Sequence, residues 1–126
     1  MKIIVAAIVG IVSVSSSLAQ ESKIFDGNWK LNMCSGGMCI RHTLSVNGAE
    51  GVFKRLASQF HSACVGIDQK AKITTLDNNE VLVEIEKNPL GCGGNKFQLK
   101  KVKEKEYEGR GTNSSGQTGT ISATVE

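Results

Sequence analysis

Large anchoring side chains are scarce here: four phenylalanines, one tryptophan and one tyrosine among 126 residues. With so few aromatics, a single small core is all the chain can build. Charge of one sign is also missing, since 15 Lys and Arg face 12 Asp and Glu for a net +3 at pH 7. That excess is too mild for a nucleic-acid partner. The apolar run Ile3 to Val14 is too short, and too abruptly followed by serines, to span a membrane as a helix. No cysteines stand in Cys-x-x-Cys spacing, which speaks against zinc. Gly91-Cys92-Gly93-Gly94-Asn95-Lys96 has glycines and a lysine but lacks the strand-then-helix context of a phosphate loop. Only two histidines, His42 and His61, are available to activate a nucleophile, and neither sits in a recognisable catalytic motif. A non-enzymatic protein without metal or cofactor is the expectation.

What is present begins with an export address. Lys2 supplies a positive n-region, Ile3 to Val14 the apolar h-region, and Ser17-Leu18-Ala19 a small-residue cleavage pattern. The residue directly after Ala19 is Gln20, not the cysteine that would carry a lipid anchor. Residues 1–19 therefore read as a signal peptide and 20–126 as one domain, secreted or periplasmic. All four cysteines lie in that domain. In an exported chain of this size they are expected to pair as two disulfides, which matter because a small domain buries a limited share of its surface.

The registers suggest which pair. Trp29, Leu31 and Met33 alternate with Asn28, Lys30 and Asn32, and after Gly36-Gly37 the alternation resumes with Ile40, His42, Leu44 and Val46. Closing a hairpin on the two glycines sets Met33 opposite Ile40, Leu31 opposite His42 and Trp29 opposite Leu44, so inward residues meet inward residues. The same register puts Cys34 opposite Cys39 at a non-hydrogen-bonded pair, where Cα atoms approach most closely. A slip of one residue would reverse every face. A second hairpin joins Ala71, Ile73 and Thr75 to Val81, Val83 and Ile85 across Asp77-Asn78-Asn79-Glu80. Folding it brings Cys64 and Cys92 to its open end, which makes them the natural second pair; four cysteines still allow three connectivities.

Further strand-like pieces follow. Phe97 and Leu99 alternate before a Lys103-Glu104-Lys105-Glu106 turn, and the alternation breaks between Leu99 and Val102 as a bulge would require. Tyr107 opens a short strand, Gly111 to Gly119 reads as a loop, and Thr120 to Val125 as the last strand. Lys96, Lys100, Lys101, Lys103 and Lys105, interleaved with Glu104, Glu106 and Glu108, read as a solvated pair protecting a sheet edge. The chain thus gives an all-β fold, a small antiparallel β-barrel or sandwich of seven to eight strands. One stretch leaves an alternative open. Val52, Phe53, Leu56, Ala57, Phe60 and Ala63 recur at helical spacing, and Asn47 followed by Glu50 approximates a capping box. A helix over 48–63 would make the fold α+β, on an antiparallel meander. Against it, Asn47-Gly48 is a strong hairpin signal and Gly51 weakens a helix.

The opening Phe25-Asp26-Gly27-Asn28-Trp29-Lys30 resembles the Gly-x-Trp start of calycin-type barrels, the lipocalin and avidin-like proteins, through Gly27 and Trp29. Cys64-Val65-Gly66, Gly91-Cys92 and Tyr107-Glu108-Gly109 look like small exported bacterial β-proteins without assigned activity. The resemblance implies a barrel whose Trp closes one end, and it brings no ligand with it, since the biotin-binding residues of avidins find no matching positions. On this reading Trp29, Leu31, His42 and Leu44 would line the barrel mouth and bind a small apolar ligand or a partner protein. An inhibitor or effector acting through the loops Ser35 to Met38, Asn88 to Gly94 and Thr112 to Thr118 is the competing expectation.

Overall fold

The structure, a computed structural model, describes residues 23–56 and 64–126. The export signal expected over 1–19 lies outside them, as do Ala57, Phe60, His61 and Ala63. Eight strands follow in chain order: β1 (Gly27–Ser35), β2 (Met38–Asn47), β3 (Glu50–Arg55), β4 (Asp68–Asp77), β5 (Glu80–Ile85), β6 (Asn95–Lys103), β7 (Glu106–Asn113) and β8 (Thr118–Val125). Each pairs antiparallel with the next, and β8 returns to β1, closing an up-and-down barrel. The fold is all-β, and among the described residues no helix is long and apolar enough to cross a membrane.

The first hairpin has the register that its alternation dictates, with Trp29 across from Leu44, Leu31 from His42, Met33 from Ile40 and Cys34 from Cys39. Gly36 and Gly37 carry φ of 59° and 82°. Two successive left-handed residues make the tight turn whose twist matches its strands, and only glycine adopts both without penalty. Cys34 and Cys39 are bridged with their Cα atoms 4.0 Å apart. Cys64 and Cys92 form the second disulfide, across 5.7 Å.

The helix considered for 48–63 gives way to β3 over Glu50–Arg55. Gly48, at φ 65°, takes the turn conformation, and its N–H donates to Asp26 Oδ1 at 2.7 Å, which ties the turn to the N-terminal segment. Phe53 then points inward opposite Leu44 and Gln69. Burial against two neighbouring strands outweighs the helical spacing of the apolar residues. Bulges interrupt the ladder between Thr75 and Asp77 and between Lys101 and Lys103, the second where the alternation fails.

Two expectations are corrected. The loop read over Gly111 to Gly119 shrinks to the four residues between β7 and β8, because Thr112 pairs with Thr118 and Gly111 with Gly119. The lysine-rich β6 and β7 protect no edge: β6 lies between β5 and β7, β7 between β6 and β8, and closure leaves no free edge among the described strands. Their charges occupy the outer wall instead.

The core is the barrel lumen. Trp29, Leu31, Leu44, Phe53, Val81, Val83, Phe97 and Leu99 are its largest fully buried side chains. Along each strand these alternate with exposed residues such as Lys30, Asn32 and Arg41. That is the pattern of a barrel with a dry interior and a wet exterior, the reverse of lipid-facing strands. The two ends of the barrel differ. At one end the connections are short turns, and the rings of Phe25, Trp29 and Tyr107 pack together at tilted and edge-on angles, with Trp29 and Tyr107 centroids 4.7 Å apart. Trp29 Nε1–H donates to the Phe25 carbonyl at 2.9 Å, so the indole is both packed and satisfied. At the other end lie both disulfides and the longer connections.

Candidate functional site

The lumen changes character along its axis. Around Phe25, Trp29, Leu44, Val46 and Ile73 the packing leaves no space for even one water molecule. Towards the opposite end a cavity of about 540 Å³ opens, walled by Met33, Ile40, His42, Arg55 and Ile121 and by the backbone of several glycines. Its size is that of a small-molecule site. A second depression of about 740 Å³ lies on the outer wall beside Ser45, Val52, Lys70 and Glu86, as open to solvent as the first.

Of the four residues expected at the mouth, His42 reaches the cavity wall. Trp29, Leu31 and Leu44 belong to the packed core below it, each 2 % exposed or less. The alternation correctly makes them inward, but it cannot say how deep along the axis each one lies.

The three loops singled out for contacts converge on the rim. Ser35, Gly36 and Met38 from the first hairpin, Gly93 and Gly94 from the β5–β6 connection, and Asn113, Ser114, Gln117 and Thr118 from the last hairpin all border the cavity. Hydrogen bonds link them: Ser35 Oγ donates to the Thr118 carbonyl at 3.1 Å and Ser114 N–H to the Gly94 carbonyl at 3.0 Å. The Cys34–Cys39 bridge stiffens one side of the rim. Cys64–Cys92 fastens another, since Gly66 N–H donates to the Arg55 carbonyl at 2.9 Å and Val65 bridges to Arg55 at the end of β3. Gln69, buried, directs its amide to the carbonyls of Glu86 and Gly93 at 3.1 Å each and of Cys92 at 3.5 Å. One side chain therefore satisfies the carbonyls of a loop that has no ladder of its own.

His42 is the unusual member. It is 3 % exposed, lies flat on Phe53 with ring centroids 4.7 Å apart, and finds no hydrogen-bond partner for Nδ1 or Nε2 among the described residues. Burial, reinforced by the positive charge of Arg55 and only partly offset by the nearby backbone of Ile40, lowers its pKa from 6.5 to about 4. The imidazole is neutral at pH 7, offering one N–H and one lone pair. Buried polar atoms are ordinarily paired, so two such nitrogens in a ring at the cavity wall are informative.

Arg55 is the residue that sequence reading overlooks. It stands directly across from His42 on β3, two residues beyond inward Phe53, and it lines the same cavity. Extending the period-2 pattern from Phe53 would have found it, had the helical spacing of the same stretch not competed. Among the described residues no group of three His, Cys, Asp or Glu is arranged to hold a metal.

No protein-family model and no curated protein matches this chain. Two solved structures share its architecture. A redesigned β-barrel superposes with a TM-score of 0.65 at 19 % identity, covering 85 % of this chain and 96 % of its own. A second redesigned β-barrel, mFAP1, bound to DFHBI, gives 0.64 at 14 % identity, over 85 % of this chain and 99 % of its own. At such identities the likeness is one of fold.

Proposed function

We propose that this is an exported, non-enzymatic binding protein that takes a small, largely apolar molecule into the open end of its barrel. The observation that carries this reading is the cavity of about 540 Å³ with His42 on its wall, where two buried ring nitrogens have no partner among the described residues. A core evolved only for packing gains nothing from an unsatisfied imidazole; a binding site gains a polar handle that fixes a ligand's orientation. The packed Trp29 end supports the same view, because a rigid, closed base holds the walls of an open mouth in place. mFAP1 is a barrel of this architecture with a ligand bound, so the fold accommodates one. Export is supported by the signal expected over 1–19 and by two closed disulfides, which persist in oxidising compartments. The calycin resemblance of Gly27 and Trp29 agrees with a barrel binder and adds no ligand.

Titration with Nile red tests the reading. Fluorescence should rise and saturate at one dye per chain, and Met33→Trp, which fills the cavity from its wall, should abolish the rise while leaving the fold intact. A folded wild-type protein that gives no saturable signal would refute it.

A second reading is favoured by one observation. Leu90 and Met38, on two of the converging rim loops, are 75 % and 48 % exposed. Disulfide-held loops with apolar tips suit insertion into a partner's cleft, as a secreted inhibitor would use them. Such binding should be lost on reduction and alkylation and weakened by Leu90→Asp; binding indifferent to both would dismiss it.

A further inference from the structure

The two disulfides stand in opposite surroundings. Cys64 is half-buried and Cys92 only 2 % exposed; the Cys92 N–H donates to Asn88 Oδ1 at 2.9 Å and its carbonyl accepts from the Asn88 N–H at 3.1 Å. Cys34 and Cys39 instead occupy outward positions on β1 and β2, where Cys34 is half-buried and Cys39 exposed. The barrel holds both of them in place without their bridge. β1 pairs with β2 from Gly27 across Val46 to Ser35 across Met38, and on its other side with β8, which sets Cys34 beside Thr120. A link between residues five apart therefore closes a hairpin that the ladders already fix. Charge also distinguishes this face. Arg41 points outward two positions from Cys39, and β1, β2 and β8 contain no aspartate or glutamate. Disulfide exchange begins with attack by a thiolate, an anion, and an exposed sulfur near a cation is the one it reaches most readily.

We propose that Cys34–Cys39 is a site of thiol–disulfide exchange, opened by a dithiol reductant that attacks Cys39 Sγ while the barrel and Cys64–Cys92 stay intact. The incoming thiolate bonds to Cys39 Sγ as the Sγ–Sγ bond breaks, and the electron pair of that bond leaves on Cys34 Sγ, which takes a proton. The second thiolate of the reductant then attacks the reductant sulfur of the mixed disulfide and releases Cys39, which is protonated in turn. Two electrons pass to the protein, and the reductant ends as a disulfide. Arg41 attracts the attacking anion to this face. The product is a pair of thiols on adjacent strands at the cavity rim, one of them on Cys34 in the cavity wall. Exchange at this bridge requires no ligand in the cavity.

The test is treatment of the native protein with limiting dithiothreitol at pH 8, quenched with iodoacetamide at intervals and followed by peptide mapping. Cys34 and Cys39 should be alkylated before Cys64 and Cys92, with the Trp29 emission of the native barrel unchanged. Glutathione, a monothiol, should be trapped by acid as an adduct on Cys39. Arg41→Glu should slow the opening several-fold, and Lys96→Glu, the same charge reversal on the outer face of β6, should not. If Arg41→Glu does not fold, added sodium chloride decides on the wild-type protein, since screening should slow the attack. Opening of both bridges at one rate, earlier opening of Cys64–Cys92, or loss of native emission as Cys34–Cys39 opens overturns the proposal. A glutathione adduct on Cys34 overturns the point of attack, and a rate indifferent to both Arg41→Glu and salt overturns the role of Arg41.

Discussion

His42 and Phe53 lie stacked on adjacent strands, their ring planes 19° apart and their centroids 4.7 Å apart. The stack holds a neutral imidazole at the boundary between packed core and open cavity. Protonating it there would bury a cation close to Arg55.

The first prediction concerns pH. With its pKa lowered to about 4 by burial first and Arg55 second, against 6.5 in an unperturbed chain, His42 takes up its proton in the unfolded state before the folded one. From pH 6.5 down to about 4 the unfolded chain holds the extra proton, so stability should fall with pH in that window and this group should cost nothing further below it. The slope approaches about 1.4 kcal/mol per pH unit at its steepest. Urea unfolding across pH 7 to 3.5 measures it, and His42→Leu should flatten the window; a slope identical in the variant would assign the effect elsewhere.

The same substitution separates stability from binding. At pH 7, His42→Leu removes two buried polar atoms that have no partner among the described residues, a defect worth roughly 1–3 kcal/mol, and keeps an apolar contact with Phe53. The variant should unfold at an equal or higher urea concentration than wild type while binding Nile red more weakly. A clear loss of stability at pH 7 would mean that His42 is a structural residue and would remove the main support for the binding site.

Much of this architecture is legible in the residues, and the reason is the period of a strand. Alternation in β1 and β2, closed on Gly36-Gly37, determines which residues face each other, and that places Cys34 beside Cys39. The break between Leu99 and Val102 marks the bulge at Lys101 and Lys103 for the same reason. Two kinds of information are not local. Whether a set of hairpins closes depends on β1 meeting β8 from the far end of the chain, so the charged β6 and β7 could pass for an edge. Depth along the barrel axis depends on strand stagger, so inward Trp29 and inward His42 look equivalent in sequence although one plugs the base and the other lines the mouth. Gln69 shows a third gap: its alternation makes it inward, but its role is set by the carbonyls of a loop that begins at Glu86.

The two disulfides should differ in worth. Cys64–Cys92 spans a sequence separation of 28 and Cys34–Cys39 one of 5. In the chain-entropy model the longer closure contributes about 3–4 kcal/mol and the shorter about 2 kcal/mol. Chemical denaturation of the paired alanine variants should rank them in that order. The longer bridge also anchors the rim next to Arg55, so its loss should weaken ligand binding even where the barrel remains folded. Equal stability losses would indicate that residual structure in the unfolded chain, rather than loop length, sets the effect.

Backbone proximity on β7 gives a further prediction. A Cβ on Gly109 would stand 1.7 Å from the Gln98 carbonyl oxygen, whereas one on Gly111 would meet the Phe97 Cβ at 2.9 Å and Ile121 Cδ1 at 3.1 Å. Both conflicts involve the neighbouring strand, since the Phe97 Cβ moves only with its backbone and the Lys96 carbonyl oxygen lies 3.3 Å away, but the Gly109 overlap is deeper by more than 1 Å and demands the larger disturbance of the ladder. Gly109→Ala should destabilise by on the order of 3 kcal/mol or more and Gly111→Ala by less. Thermal unfolding of the two variants checks the order, and a Gly109→Ala protein as stable as wild type would show that β6 and β7 are less tightly coiled than described.

The position of Trp29 supplies a spectroscopic check on which end of the barrel binds. It is the only tryptophan in the sequence, 2 % exposed, and enclosed by Phe25 and Tyr107 at the closed base. Its emission should therefore be blue-shifted and poorly quenched by iodide in the native protein. A ligand entering at His42 leaves that environment untouched, so saturation with Nile red should leave the emission maximum where it is. Trp29→Phe should cost about 1–3 kcal/mol, because it leaves the buried Phe25 carbonyl without its 2.9 Å donor and opens a space beside Tyr107. It should leave the affinity for Nile red unchanged within error. A ligand-induced change in Trp29 emission, accompanied by lost affinity in Trp29→Phe, would move the site to the opposite end of the barrel.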